Sequence, residues 1–509
     1  MKCNDIEGIP PGFKNISSFI PQDDILISSL SARETFLYAA KLRLPPSLTN
    51  TQRNQRVEEV LKLLSLESCS ETRIGNVDQR GISGGQRKRV SIGVELIINP
   101  SVIFLDEPTS GLDSKMAEDV TDILRNLAKQ RRNIICTIHQ PSYKIFMMFD
   151  RVLLLSEGFV MYQGATSHLP LYFSQIGYEP PNYENPCDFV MRLLQDTKLI
   201  PEFRDKWAEI YSTVNKMNLE DDEENKEEKS SSIGKEEHFN EELIEGIKYQ
   251  DYEIVSSEAL DQLMEEKVYA IGRWDQFWVL LDRTFKDYFK DRSKFFGGLV
   301  LKLSVGILVG VSWYGQAGDT NSDIFPTTGA LFLCVTSSVM DTLFATVMAF
   351  PQILAIIKRE YRNSSYSLLP FFLSQLLSQM IFQSFYAIFL GLPIMLLVGL
   401  EMGVSNILIF FANLSILACM GASLGEFYFL LIHSINFFGF LGLGIGALVK
   451  DFFQAQQTVM PTVVPLLLFS GYVIPYNDIP SGLSWLYYVS FFQYSFSIFQ
   501  INQVSLIHF

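Results

Sequence analysis

The spacing of apolar positions changes near residue 295. Before it, from 16 to about 176, short apolar runs alternate with helix-like stretches, the pattern of an α/β domain. The runs at 102–105, 134–138 and 152–155 are rich in β-branched and aliphatic residues and lead into turn or helix signals, which predicts buried strands. After 295 the apolar runs lengthen. The stretch 295–314 holds about 20 residues, which at 1.5 Å per residue matches a hydrocarbon core of roughly 30 Å. Spans are predicted at 295–314, 325–350, 371–398, once within 406–449, and at 458–474. Lys302 falls in the first, and a lysine near the end of a span is expected to snorkel to the interface.

Between these halves lie two further segments. LEDDEENKEEKSSSIGKEEHFNEELIEG is dense in charge and poor in aromatics, which predicts a solvated linker, taken as 196–270, with Ser230, Ser231 and Ser232 as candidate phosphorylation sites within a spacer. Residues 271–294 follow, with Trp274, Phe277, Trp278, Leu281, Phe285 and Phe289 at helical spacing among Arg283, Lys286, Lys290 and Arg292. A basic amphipathic helix leading straight into a span predicts an interfacial connecting helix. The organisation is therefore an α/β domain over 1–195, the linker, the connecting helix, and an all-α polytopic domain over 295–509.

Composition supports the division. Hydrophobic residues make up 48% of the 509 and aromatics 13%, yet charged residues still reach 19%, more than a wholly embedded chain carries. Beyond Lys302 the only Lys or Arg residues are Lys358, Arg359, Arg362 and Lys450. The positive-inside bias then places the flank before the first span and the 358–362 loop in the cytosol, and the α/β domain with them. Much of the net charge of −15 comes from 220–245, so it is local. The six cysteines show no paired spacing and are assigned no chemistry. MKCNDIEGIPPGF carries neither a signal-type apolar core nor a lipidation pattern, so membrane entry is expected from the internal spans.

Four short stretches carry chemistry. GISGGQRKRVSIGVELI opens with a Ser83-Gly84-Gly85 turn and runs into a helix, leaving backbone N–H groups at a helix N-terminus where phosphate is favoured. About twenty residues on, VIFLDEPTSGLD ends a strand in Asp106 and Glu107, a carboxylate pair suited to one metal ion and one attacking water. IICTIHQPS delivers His139 to a strand end, within reach of a phosphate. SSFIPQDD places Gln22 after another short strand.

Taken in order, Gln22, Ser83-Gly84-Gly85-Gln86, Asp106-Glu107, the Ser110-Gly111-Leu112-Asp113 turn and His139 resemble the Q-loop, signature, Walker B, D-loop and H-loop of ATP-binding-cassette (ABC) ATPases. The wording RGISGGQRKRVSIGVELI and TIHQPS resembles the G, or white-type, subfamily of half transporters, as do FSGYVIPYNDIP and LSWLYYVSFFQYSF. The resemblance implies a P-loop-type nucleotide-binding domain ahead of the membrane domain, ATP and Mg²⁺ as cofactors, and a homodimer or heterodimer with another half transporter. It gives Asp106 and Gln22 to Mg²⁺, Glu107 and His139 to hydrolysis, and Ser83, Gly84, Gly85, Gln86 and Asp113 to nucleotide. The implied function is ATPase-coupled export of lipids, sterols, pigment precursors or other amphipathic small molecules. Nucleic acid is disfavoured as a partner, since the spans come with no basic surface run.

The pattern is incomplete. No G-x-x-x-x-G-K-[ST] occurs, and 458–474 is the fifth span of a family with six. A truncated chain explains both, and a degenerate subunit that lends only its signature turn is the alternative. Residues 426–441 resemble an insertion into the family's fourth span.

Overall fold

The computed structural model describes residues 2–3, 6–7, 12–76, 80–181, 184–223, 269–318, 323–437, 461 and 463–503. In chain order the elements that frame the site are β1 (Ser17–Ile20), α1 (Ala32–Arg43), α2 (Gly84–Leu96), β2 (Val102–Leu105), α3 (Ser114–Ala128), β3 (Asn133–Cys136), β4 (Arg151–Ser156), β5 (Phe159–Ala165) and α4 (Ile200–Glu223). The helices α5 (Arg273–Lys290), α6 (Arg292–Ser312), α7 (Ile324–Arg362), α8 (Leu368–Val398) and α9 (Val404–Phe437) follow. Contacts group the chain into two compact units. One comprises Met1–Asp24, Asn50–Thr72 and Arg80–Val268, and the other Ile25–Thr49, Arg73–Gln79 and Tyr269–Phe509.

The first unit is built on a parallel sheet in the order β1-β2-β3. Each strand is four residues long, and the register pairs Ile20 with Leu105 and Leu105 with Cys136, so the three carboxyl ends finish level. That levelness places residues from three distant parts of the chain along one edge. Ile103 and Leu105 of β2 are buried, with Val90, Ile92 and Leu96 of α2 and Val120, Leu124 and Leu127 of α3. The expectation of buried strands fails further on: Ile135 is 48% exposed, and Leu153 and Leu155 are 52% and 62% exposed. The reason is topological. Among the described residues β3 ends the sheet, while β4 pairs only with β5 in an antiparallel hairpin, so each keeps an open face. A second, aromatic core joins Tyr162, Tyr172 and Phe173 to Phe203 and Trp207 of α4. The packed fold thus runs past 195 into the stretch read as linker, and residues 224–268 lie outside the described residues.

In the second unit four helices are long and apolar enough to cross a membrane, over Arg292–Ser312, Ile324–Val347, Leu368–Val398 and Val404–Leu424. They overlap the stretches 295–314, 325–350, 371–398 and 406–449. Part of the fifth, 458–460 and 462, lies outside the described residues, as does the end of the 426–441 stretch beyond Phe437. Small residues let α6 lie against α8: a Cβ on Gly306 would stand 2.5 Å from the Leu390 carbonyl oxygen.

Lys302 does not snorkel. It is 4% exposed, and its Nζ stands 3.4 Å from Asp341 Oδ2 on α7. Ten residues separate it from either end of α6, about 15 Å of helix, farther than its side chain reaches. It shares its helix face with Gly298, Gly306 and Gly310 at four-residue spacing, the face turned into the bundle.

The segment after Gln22 also joins this second unit. Ser31 and Glu34 form a capping box that starts α1. Glu34 then pairs with Lys286 and Lys290 of α5 at 2.9 and 2.6 Å, and Tyr38 donates to Asp282 at 2.9 Å. Leu42 packs with Leu280, Ile357 and Tyr366. Beside it Arg283 grips Glu360 with two bonds of 2.7 and 3.0 Å. Trp274 and Trp278, on the far face of α5, stay 74% and 61% exposed.

Candidate nucleotide-handling site

The first unit brings three of the four singled-out stretches to the carboxyl edge of its sheet, where α/β folds bind ligands. Asp106 and Glu107 directly follow β2, Thr137 and His139 follow β3, and Gln22 follows β1. Glu107 holds a φ of +42°, in the left-handed region that costs a non-glycine residue energy and that clusters at functional sites. That turn lets its backbone N–H donate to Thr137 Oγ1 at 2.9 Å, while Thr137 donates to Asp106 Oδ1 at 2.7 Å. Gln22 Nε2 in turn donates to Glu107 Oε2 at 2.9 Å and to Ser110 Oγ at 3.4 Å. The two carboxylates and the glutamine are thereby one hydrogen-bonded group, half-buried to exposed and open to solvent.

The signature stretch stands at the start of α2. Ser83 Oγ accepts from the Gln86 amide at 3.2 Å, and Gln86 Oε1 accepts from the Ser83 amide at 2.9 Å, a reciprocal capping box. Ser83 and Gly84 are exposed; Gly85 is buried against Met116 of α3, where a Cβ would stand 3.1 Å from the Met116 Cβ. Gly84 faces Leu112 of the D-loop turn, so the signature and the D-loop turn pack together. Asp113 acts locally, since its Oδ1 accepts from the Met116 amide at 2.8 Å and caps α3. His139 is exposed beyond β3 and carries no hydrogen bond among the described residues, followed by Gln140 at a φ of +45°. Burial pushes the Cys136 thiol up to about 11, which keeps this neighbouring cysteine an unreactive thiol at neutral pH.

The donor set fits a small, hard cation. Mg²⁺ keeps several waters and takes only one or two protein oxygens beside its phosphates. Asp106 has carboxylate capacity beyond its Thr137 bond, and the Gln22 amide, with its nitrogen turned to Glu107, leaves its oxygen free to ligate.

Comparison with known proteins gives the family. The family described as ABC transporter matches residues 9–110, and ABC-2 type transporter families match 275–504 and 139–384. ABC transporter G family member 21 of Arabidopsis thaliana is 31% identical over 95% of this chain and 68% of its own length. Member 22 of the same plant is 31% identical over 95% of this chain and 62% of its own length, and Protein white of Drosophila melanogaster 30% over 96% and 65%. The chain belongs to the G family of ABC transporters. It spans about two thirds of the length of these curated relatives. A nucleotide-binding domain ahead of a helical membrane domain is thus the architecture of this G-family chain.

Two residues at the site escaped the sequence reading. Thr137 ties Asp106 to Glu107, and its signal was a hydroxyl one position past a strand that ends level with the carboxylates. Lys88 is 1% exposed, donates to the Gln22 carbonyl oxygen at 2.7 Å and pairs with Asp24 at 2.9 Å. It fastens the signature helix to the Q-loop. Its signal was position: Lys88 lies three residues past Gly85 and four before Ile92, on the buried face of α2.

Proposed function

We propose that this chain is one half of an ATP-driven exporter of lipids, sterols or other amphipathic small molecules, assembled as a homodimer or heterodimer with its nucleotide-binding domain in the cytosol. The observation that carries the reading is the bonded group of Gln22, Asp106, Glu107 and Thr137 at the level ends of three parallel strands. In this reading the nucleotide-binding domain spans 1–195, with its aromatic core extended to Trp207 and Ile25–Thr49 and Arg73–Gln79 grouped with the helical unit, ahead of a linker over 196–270, a connecting helix over 271–294 and a membrane domain over 295–509.

Glu107 has one carboxylate oxygen bound to Gln22, which leaves the other to accept a proton from, and so orient, an attacking water. Thr137 and the left-handed turn at Glu107 fix that direction before substrate arrives, which is how positioning lowers a barrier. Asp106 and the Gln22 oxygen would hold Mg²⁺, which when bound supplies positive charge to the β- and γ-phosphate oxygens. His139, exposed past the end of β3, would donate to a phosphate oxygen, and the turn that Ser83 and Gln86 hold by their capping box would offer the Gly84 and Gly85 amides and the Ser83 hydroxyl to nucleotide held by the partner. Asp113 shapes the turn that carries this contact by capping α3. The 509 residues contain no G-x-x-x-x-G-K-[ST], so they supply the metal-holding, water-orienting and signature parts of the site.

Glu107→Gln tests this. In the dimer the variant is expected to retain bound ATP and lose turnover by at least about a hundredfold, the scale of a removed general base. An unchanged ATPase rate in reconstituted protein refutes the role.

A further inference from the structure

The ion pair inside the membrane domain has no part in ATP handling. Lys302 and Asp341 meet through a single contact of 3.4 Å, and among the described residues neither Lys302 Nζ nor Asp341 Oδ2 has a hydrogen-bond partner. The two ends of the pair differ in exposure. The Lys302 side chain is 5% exposed, whereas that of Asp341 keeps 24% of its surface, and with Oδ2 enclosed that surface lies on the rest of the carboxyl group and its methylene. Along α7, Leu333, Ser337, Asp341, Ala345 and Ala349 recur every four residues and are all incompletely buried, so they form one outward stripe. Asp341 is its only charge.

We propose that Asp341 accepts a hydrogen bond from the head of an amphipathic cargo, a hydroxyl or a protonated amine, with Lys302 as the buried counter-ion behind it. The proposal rests on the export reading above and names the feature of cargo it selects. A carboxylate oxygen facing hydrocarbon is costly unless it receives a donor. Ser337, one turn away, already donates to the Leu333 carbonyl oxygen at 2.6 Å, and Thr342 donates to its own helix. Acyl chains of the bilayer carry no donor at this depth. A second copy of the chain presenting the same stripe would bring Asp341 against Asp341, which like charge opposes. A small amphiphile with a donor head remains as the occupant that satisfies the site.

The test uses the full chain in lipid nanodiscs and two probe pairs: dehydroergosterol against its 3-methyl ether, and a dansylated long-chain amine against its acetamide with the amide nitrogen methylated. In the unmodified protein the donor-bearing member of at least one pair should bind about tenfold tighter, as a bond to a charged acceptor implies. Replacing both partners, Lys302→Met with Asp341→Leu, leaves no unpaired charge and should bring that ratio to near one. Ala345→Leu, which fills the stripe beside Asp341 and keeps the pair, should weaken the donor-bearing probe about tenfold. Equal affinities within both pairs in the unmodified protein, or a preference that survives in either variant, overturns the proposal. Binding is read without nucleotide. Absent donor selectivity with ATP-dependent export intact therefore removes only the subsite, and selective binding without ATP-dependent export removes only the export reading.

Discussion

Lys88 shows how a single side chain can hold a site it never enters. Its ammonium is buried between the Gln22 carbonyl oxygen and the Asp24 carboxylate, so the Q-loop backbone is fixed by a charge on the signature helix. Lys88→Met takes this cation away from Asp24 in a part-buried place. Loss of one partner from such a pair costs about 3 kcal/mol. For a unit of this size that is a fall of about 6–10 °C in the melting midpoint. Melting of the purified protein in detergent measures it, and the double variant Lys88→Met/Asp24→Asn should recover part of the loss. A midpoint unmoved by Lys88→Met would show the pair to be energetically idle. The residue scale is also where sequence reading reached least far. Asp106, Glu107 and Gln22 were legible because each closes a short apolar run, but the bonds that join them cross from one strand end to another. Lys302 read as a snorkelling lysine because periodicity gives the face of its own helix and nothing of the helix opposite. Asp341, 39 positions on, is what changes its meaning.

At the scale of elements, α1 is the instructive case. Its capping box and apolar face are plain in the sequence, yet its contacts lie with α5, some 240 residues later, and no local pattern carries that distance. The strands fared unevenly: the run at 102–105 is β2 residue for residue, whereas 134–138 overruns the end of β3 by two residues and 152–155 stops one short of β4 at each end, and the exposure of β3 and β4 depended on neighbours that a run of residues does not reveal. The clamp of α1 on α5 should be pH-sensitive. Burial works to raise the Glu34 carboxyl, but bonds from Lys290 and the Ser31 amide, with the Lys286 hydrogen bond and charge, outweigh it and hold the group at about 2. A depressed carboxyl stabilises the folded form fully above its unfolded value of 4.5 and ceases to do so as pH falls through about 2. Both lysines keep about a third of their surface exposed, so screening limits the contribution to about 2 kcal/mol at neutral pH. Glu34→Gln should therefore melt lower than the unmodified protein at pH 7, and the gap should close between pH 4.5 and 2. A gap that stays constant over that window assigns the clamp to packing alone.

For the whole molecule, the distribution of charge makes a prediction about sidedness. Arg359 and Arg362 sit in the last turn of α7, Lys286, Lys290, Arg292 and Lys294 flank the start of α6, and these two regions belong to the same end of the helical unit, since Arg283 of α5 is bonded to Glu360 of α7. The opposite connections, 315–323 and 399–403, contain no Lys or Arg. Basic loops are retained in the cytosol during insertion, so the Arg359 end should be cytosolic and Gln316, at the other end, outside. A cysteine placed at Gln316 is then expected to react with a membrane-impermeant maleimide on intact cells, over the background of the native thiols. One at Asn363 should react only after permeabilisation. The buried anchors strengthen the expectation: Arg359 donates to the Ile25 carbonyl oxygen and Arg283 is locked to Glu360, so these cations are held by the helical unit's own packing and mark a built end of the bundle. Reversed labelling would put Ile25, three residues past Gln22 in the chain, and with it the capped start of α1 on the side away from cytosolic ATP. The carboxylate pair at the end of β2 could not then serve nucleotide, and the transport reading would fall with the orientation.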